Sequence, residues 1–567
     1  MTRFKIVFAV FSLLFLAIIS RLFYWQVIKG SDLSLQASNQ YRGNKTLVAP
    51  RGNIYASDGT WLAVMRTNWL LFAETPKLKE TPKEVAEKLA PLFVKIEDFP
   101  EDNKDEYRLA LLNEIDRLEK SMSRKGVVWT PVKRKVTTEQ KNKIEEMGIL
   151  GLGFDPEESR YYPEGSSSAQ LLGFVGKDSD GEDVGYFGLE GFYNILLSGK
   201  DGFVKREKDL TGAPILTGGL SEISPISGTD LHTSIDKRIQ NIVENKLFEA
   251  KDKYGAVQGS VIVMDPSIGA ILAMSSYPSY DPAKYSEFDQ SLFKNPAISD
   301  TFEPGSIFKV IVMAAGLDSE KIEVDTICDV CDKPYAVDKY FIKTWDGKYH
   351  PNSTMTDVLV HSDNVGMSFI AARMGSNLMY EYLDKFGIGR LTGIDLQGEA
   401  NINLRKKGTW NIVDLATSSF GQGVSTTPIQ LIRATAAIAN GGYLVTPKVV
   451  KSESNVKERV ISKDAADETT AMMIDAAKKG EAKWIDLKGF SVAGKTGTAQ
   501  IPIAGHYDAE KTIASFIGFA PANNPKFIML VTLKEPQSSP WASETAAPLW
   551  YAIAKDLFSY FGIQPEN

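Results

Sequence analysis

Two cysteines and four histidines are few for a chain of 567 residues, and each scarcity removes a class of protein. A disulfide-stapled secreted scaffold needs many more cysteines. Cys328 and Cys331 form a single C-x-x-C, open to reading as a redox motif or half of a zinc site, with a loop closed by a local disulfide the favoured reading. A structural zinc site needs four ligands, yet His232, His350, His361 and His506 form no H-E-x-x-H and no second C-x-x-C exists. No metal and no cofactor are expected. Positive charge is also in deficit: 64 Lys and Arg stand against 71 Asp and Glu, a net charge of −7. With no long basic run, nucleic acid is excluded as the main partner. No fixed-period repeat is present, which excludes a solenoid.

What remains is an ordinary globular composition, 43% hydrophobic and 24% charged. The length exceeds what one hydrophobic core supports, so two or three domains are expected. One segment stands apart. Residues 4 to 28 are almost wholly apolar or aromatic, with Arg3 and Lys5 at their start and Arg21 followed by Phe23-Tyr24-Trp25 near their end. A spanning helix needs about 20 residues. Arg21 can snorkel to the outer interface, where the aromatic cluster fits the headgroup belt. Charge ahead of the span places the short N-terminus in the cytoplasm. The rival is a cleaved signal peptide, but Ala17-Ile18-Ile19-Ser20-Arg21 offers no good small-residue cleavage site. The body of the protein is therefore expected outside the cytoplasmic membrane.

Residues 29 to 227 carry no visible catalytic constellation. Arg51 to Tyr55 with Asp58-Gly59 reads as a strand and turn, and charge-rich stretches such as Glu84 to Phe93 and Tyr107 to Ser121 read as helices. Arg160-Tyr161-Tyr162-Pro163 and Gly188-Leu189-Glu190-Gly191 stand out only as turn-forming punctuation. The composition changes near Pro225 to Gly228. Leu231 to Ile235 reads as a strand. Asp236 to Ala250 reads as an amphipathic helix with Ile239, Ile242, Val243, Leu247 and Phe248 on its apolar side. Ser260 to Met264 and Ala270 to Met274 form a buried hairpin, Phe527 to Leu533 another strand, and Pro548 begins a final helix. Strands at both ends with helices between predict an α+β domain with a helix-covered central sheet over 228–567.

Three short motifs carry the chemistry: Ser306-Ile307-Phe308-Lys309, Ser362-Asp363-Asn364 and Lys495-Thr496-Gly497. In that order they read as an active-site serine enzyme. A helix starts near Glu303-Pro304-Gly305, so Ser306 and Lys309, three apart, share a face. A serine hydroxyl needs a base, and a lysine serves if burial or a second cation lowers its pKa. Lys495 is placed to be that cation. Ser362 can pass a proton between Lys309 and the leaving amine, while Asn364 can accept from a lysine and donate to a substrate amide. His361 raises a Ser-His-Asp alternative, which the better spacing of Lys309 disfavours. Phe490 to Ala493 leads as a strand into Gly494 to Gln500, with Ile501-Pro502 as its stop. From that strand Lys495, Thr496 and Thr498 can hold a substrate carboxylate beside Gly497. Backbone N–H groups of Ser306 and Thr498 can form an oxyanion hole.

The same strand also matches a nucleotide-binding P-loop, G-x-x-x-x-G-K-[ST], over Gly489 to Thr496. A P-loop must open a helix, and Gly497, Thr498 and Pro502 argue against one here. Gly387 to Gly393 is one residue off a dinucleotide fingerprint and reads as a turn.

On these motifs the chain resembles the class B penicillin-binding proteins, the membrane-anchored peptidoglycan D,D-transpeptidases. The resemblance extends to Asp281-Pro282, Asn295-Pro296-Ala297, Glu303-Pro304-Gly305, Gly421-Gln422-Gly423, Thr427-Pro428 and, earlier, Arg51-Gly52, Arg160 to Pro163 and Gly188 to Glu190. One departure is Ala56-Ser57-Asp58-Gly59, where the family usually reads Asp-Arg-Asn-Gly. The resemblance implies a cytoplasmic tail and anchor over 1–28, an elongated mixed α/β pedestal of the dimerisation-domain type over 29–227, and a penicillin-binding transpeptidase domain over 228–567. It implies a stem-peptide substrate ending in D-Ala-D-Ala, acylation of Ser306 with release of D-alanine, and β-lactams as dead-end acylators. With no glycosyltransferase domain evident, it implies a multi-spanning glycosyltransferase and other cell-wall proteins as partners. Gly188 to Glu190 and Lys208-Asp209 favour the division branch over the elongation branch. A carboxypeptidase or β-lactamase on the same scaffold remains an alternative.

Overall fold

The computed structural model describes residues 2–33, 42–99, 104–124, 126–207, 220–452, 457–485, 487–503 and 506–565. Lys208 and Asp209 lie outside them. The chain forms two compact units, residues 1–52 with 195–229, and residues 53–194 with 230–567.

In the first unit an N-terminal helix, Thr2–Phe23, continues into a wider turn, Tyr24–Ile28. The stretch Arg3–Ile28 has a mean hydropathy of 2.5 in its most apolar window and buries nothing; among the described residues it alone is a helix long and apolar enough to cross a membrane. At 1.5 Å per residue it reaches about 39 Å, enough for a bilayer core. The Arg21 guanidinium lies over Trp25 and Tyr24, 5.3 and 5.9 Å from the ring centres. The remainder is a three-stranded antiparallel sheet of Arg42–Leu47, Gly202–Glu207 and Leu220–Ile223, with Asp201 Oδ1 accepting from the Ala49 amide at 2.7 Å.

In the second unit a long strand β1 (Trp61–Glu74) pairs antiparallel with β2 (Trp129–Val136) and β3 (Leu152–Tyr161). Helices α1 (Pro82–Phe93) and α2 (Lys104–Met122) pack with this sheet around Leu71, Val85, Leu89, Leu118 and Val132. Thr81 and Glu84 close the α1 N-terminus as a capping box. Arg160 and Glu190, expected in turns, instead lie near the end of β3 and in a short helix, Gly188–Phe192, and meet as a buried ion pair at 2.6 Å, with side chains 3% and 0% exposed.

The C-terminal part is built on one antiparallel sheet. Its strands β4 (Gln258–Met264), β5 (Ile271–Tyr277), β6 (Ala493–Ile503), β7 (His506–Ala520) and β8 (Phe527–Lys534) lie in the order β5-β4-β8-β7-β6, which leaves β6 at an edge. Helices α3 (Lys237–Tyr254) and α7 (Ala546–Phe561) share a core with the sheet that includes Val243, Leu247, Val261, Phe516, Val531 and Trp550. The Trp550 indole N–H finds the Met529 carbonyl at 2.9 Å, so the largest buried side chain leaves no donor unmet. Helix α4 (Lys309–Asp318) is buried from Lys309 to Leu317 and packs against α5 (Asn364–Lys385) and α6 (Lys463–Lys479).

Several local expectations change. The strand expected over Leu231 to Ile235 is only Leu231–His232, paired in parallel with Ile54–Tyr55. Phe248 is 61% exposed, because α3 turns only its Ile239–Val243–Leu247 stripe to the sheet. The last helix opens at Ala546, two residues before Pro548, within the first turn where proline needs no donor. Strand β6 does not stop at Ile501-Pro502; it shifts register between Gln500 and Pro502, which an edge strand tolerates. The favoured reading of Cys328 and Cys331 holds: they form a local disulfide, with both residues buried.

Replacing Glu190 by alanine removes the carboxylate that pairs with the buried Arg160 guanidinium. A loss of roughly 3–5 kcal/mol is expected. It should register as a lower unfolding temperature of the full-length protein in detergent.

Candidate active site

Ser306 lies in a single 3-10 turn, Gly305–Phe308, that runs straight into α4 at Lys309. The expected helix start near Glu303 to Gly305 is thus a tighter turn first, with the α-helix proper beginning three residues past the serine. The turn is fastened from outside. The Gly305 amide donates to the Gly421 carbonyl at 3.1 Å, and Glu303 Oε1 accepts from the Gly423 amide at 3.0 Å. On its other side lies β6. A side chain on Gly497 would meet the Ile307 backbone nitrogen at 2.9 Å and Ile307 Cγ2 at 2.8 Å. Only glycine lets the strand carrying Lys495 approach the serine turn this closely.

The second motif is set by two helix ends. A short helix, Met355–Val360, ends at His361, and Asp363 caps α5 by accepting from the Val365 and Gly366 amides at 2.7 and 3.3 Å. Between them Ser362 is held at φ +55°, a left-handed conformation that costs a non-glycine residue about 1–3 kcal/mol. That bend aims both its carbonyl and its hydroxyl at Lys309. The Lys309 ammonium donates to the Ser362 carbonyl, to Ser362 Oγ at 3.2 Å and to Asn364 Oδ1 at 2.7 Å. The Asn364 amide nitrogen donates in turn to the Lys343 carbonyl at 3.2 Å, which fixes which end of the amide faces the lysine.

Lys309 is fully buried. Its pKa is lowered from 10.5 to about 7, first by burial and then by the charge of Lys495, with Glu481 and Asp363 opposing the shift. Lys495 is 3% exposed, and burial lowers its pKa against the opposing charge of Glu481. Its ammonium donates to the Thr496 carbonyl and hydroxyl at 3.2 and 3.3 Å. The Thr498 hydroxyl accepts from the Ala542 amide at 3.0 Å. Next to it Trp541 packs on Trp345 with ring centres 5.3 Å apart. Ser306 itself is half-buried, and among the described residues none hydrogen-bonds its hydroxyl. The three motifs therefore come together with the Lys309 ammonium turned to Ser362 and Asn364 rather than to the serine. Such contacts commonly tighten only when substrate is bound.

His361 stacks on His350 at 3.8 Å, and its backbone carbonyl accepts from the Trp345 indole at 3.3 Å. Burial is the first cause lowering its pKa, His350 the second. The Gly489–Thr496 pattern opens no helix: Lys495 and Thr496 sit inside β6, so the P-loop reading fails. Gly387 to Gly393 is a turn. Glu481, which accepts from the Thr496 hydroxyl at 2.8 Å, was invisible to motif reading. It follows a basic helix end and a glycine, and no local pattern marks it.

Comparison with known proteins decides the family. The "Penicillin binding protein transpeptidase domain" matches residues 259–558, and the "Penicillin-binding Protein dimerisation domain" residues 46–233. The chain is a class B penicillin-binding protein. It is 32% identical over 574 residues to Stage V sporulation protein D of Bacillus subtilis (strain 168), covering 98% of this chain and 85% of that protein. To the peptidoglycan D,D-transpeptidase FtsI of Escherichia coli (strain K12) it is 31% identical over 437 residues, 76% of this chain and 72% of that one. The crystal structure of penicillin binding protein 2X from Streptococcus thermophilus shares the fold, with a TM-score of 0.71 at 24% identity over 93% of this chain and 83% of that one. In this penicillin-binding protein the mixed α/β body, the N-terminal apolar helix and the C-terminal antiparallel sheet all follow the family plan.

Two outcomes test the site. Gly497→Ala should drive β6 off the serine turn and slow penicillin acylation at least tenfold, read as the second-order labelling rate. A lysine at 309 that serves as base must be neutral to act, and its pKa is about 7. Acylation should therefore rise with pH through about 7 and be lost below it, read as a pH–rate profile.

Proposed function

We propose that this protein is a peptidoglycan D,D-transpeptidase that cross-links stem peptides through an acyl-enzyme on Ser306. The observation that carries the reading is the buried Lys309 ammonium, one turn from Ser306, hydrogen-bonded to Ser362 and Asn364 and depressed to about 7. A lysine that sheds its proton near neutral pH can take the serine proton.

The reaction then runs in two halves. Ser306 Oγ attacks the carbonyl of the penultimate D-alanine as its proton passes to Lys309. Ser362 relays a proton to the departing amine, D-alanine leaves, and an ester remains. The amine of a neighbouring stem peptide attacks that ester, gives up a proton through the same relay, and frees the serine. Lys495 and the Thr498 hydroxyl receive the terminal carboxylate, Thr496 turns its one proton to Glu481 and holds Lys495 in place, Gly497 keeps the strand close, and Asn364 orients the peptide. Backbone N–H groups of Ser306 and Thr498 face the developing oxyanion. A β-lactam carries the same carbonyl and carboxylate, so it acylates Ser306 and stays.

The place of action follows the same reading. Residues 1–28 form the tail and anchor, 29–227 a pedestal and 228–567 the transpeptidase domain, with the N-terminus cytoplasmic and the catalytic part outside the membrane. The partners are peptidoglycan stem peptides and a multi-spanning glycosyltransferase with other cell-wall proteins. A role in division is favoured by the relative named FtsI.

Fluorescent penicillin should label the full-length protein at Ser306, located by mass spectrometry of the adduct. Ser306→Ala should abolish the label; label that survives refutes the assignment. Lys309→Ala should slow acylation by about 10²–10⁴-fold. An adduct that persists for many minutes separates a transpeptidase from a β-lactamase, which would release it.

A further inference from the structure

Beyond the three motifs, one acidic side chain reaches the site. Glu481 follows α6, and its Oε2 accepts from the Thr496 hydroxyl at 2.8 Å. That hydroxyl has one proton, so the oxygen it turns to Lys495 Nζ, 3.3 Å away, is an acceptor. A directed chain results: the Lys495 ammonium donates to Thr496, and Thr496 donates to Glu481.

The fold builds this contact deliberately. Gly480, just before Glu481, lies so near the Ala476 and Val360 carbonyls that a Cβ would sit 2.3 and 3.0 Å from them. The end of α6 is thereby pressed against the turn that leads into His361 and Ser362. From there Glu481 spans to the third motif.

We propose that Glu481 is a positioning residue: its carboxylate is the counter-charge of the Lys495 ammonium, relayed through the Thr496 hydroxyl, and it tunes how readily Lys309 takes the Ser306 proton. This rests on the acyl-enzyme reading above.

The surrounding charges support the role. Lys495 is buried, and Glu481 is the charge that opposes the downward pull of burial on it. Lys309 feels Lys495 in one direction, and Glu481 and Asp363 in the other. On α6 itself Lys478 and Lys479 are exposed, and Lys479 pairs with Asp475 at 3.0 Å. On the neighbouring turn His361 is flanked by His350, Asp357, Asp363 and Asp346. Glu481 is thus the acidic group held by hydrogen bond to the Lys495 motif, and it acts on both lysines.

The sign follows. Removing the carboxylate charge makes both ammonium groups give up their protons more readily. Lys309 becomes a free base at lower pH, and Lys495 loses its charge at lower pH. The bell-shaped acylation profile should slide to the acid side on both limbs.

The test is the rate of penicillin acylation of the full-length protein in detergent between pH 5.5 and 9.5. Glu481→Gln keeps an oxygen for the Thr496 hydroxyl and removes the charge. We expect both limbs to move down by at least half a pH unit. Glu481→Asp keeps the charge, and its limbs should lie within a few tenths of the original, whatever the height of its profile. A Glu481→Gln profile that keeps the original limbs, or one with no labelling at any pH, overturns the proposal. So does a Glu481→Asp profile displaced like that of Glu481→Gln. Failure of the original protein to label at Ser306 would instead strike the transpeptidase reading.

Discussion

The arrangement depends on one buried ammonium. Taking an isolated lysine out of water costs several kcal/mol unless acceptors replace its solvent or the proton leaves. Here both routes are open to Lys309. Three acceptors from Ser362 and Asn364 satisfy the charged form, while burial and Lys495 favour the neutral form. The result is a group balanced between two states at ordinary pH, which is what proton transfer from a serine requires. The left-handed turn at Ser362, the amide of Asn364 tied to the Lys343 carbonyl and the fully buried run of α4 all serve that balance.

The elements that meet at the site come from far apart in the chain, and close backbone approach brings them together. β6 abuts the serine turn at Gly497, and α6 abuts the Ser362 turn at Gly480. The sheet supplies the rigid backing. β6 is anchored through β7 and β8 to a core holding Phe516, Val531 and Trp550, so a shift of Lys495 would have to disturb well-packed side chains. The second unit also includes residues 53–194, stabilised by the enclosed Arg160–Glu190 pair.

Much of the site was legible because its chemistry is local. Ser306 and Lys309 share a turn, Ser362 and Asn364 flank a cap, and Lys495 to Thr498 lie on one strand, so each group is visible as a short pattern. Glu481 was not, because its role arises from where α6 ends against a distant turn. Periodicity found most elements but misjudged their limits. Phe248 satisfies the helical spacing of α3 yet points to solvent, since the sheet covers a narrower stripe than the pattern allowed. Pro502 looked like a stop because proline lacks a donor, but on an edge strand with a register shift that donor is not required. The nucleotide-loop match shows the reverse failure, a perfect string on a strand where its chemistry needs a helix.

The edge position of β6 has an evolutionary consequence. Main-chain groups along an unpaired border are the same whatever side chains the strand carries. Contacts to that border survive a side-chain replacement that leaves the strand in place, so a ligand that uses them is shed only by changes that displace the strand. Escape from an inhibitor that mimics the natural ligand would then come through positions that set the strand's distance, such as Gly497 and the Ile307 it abuts.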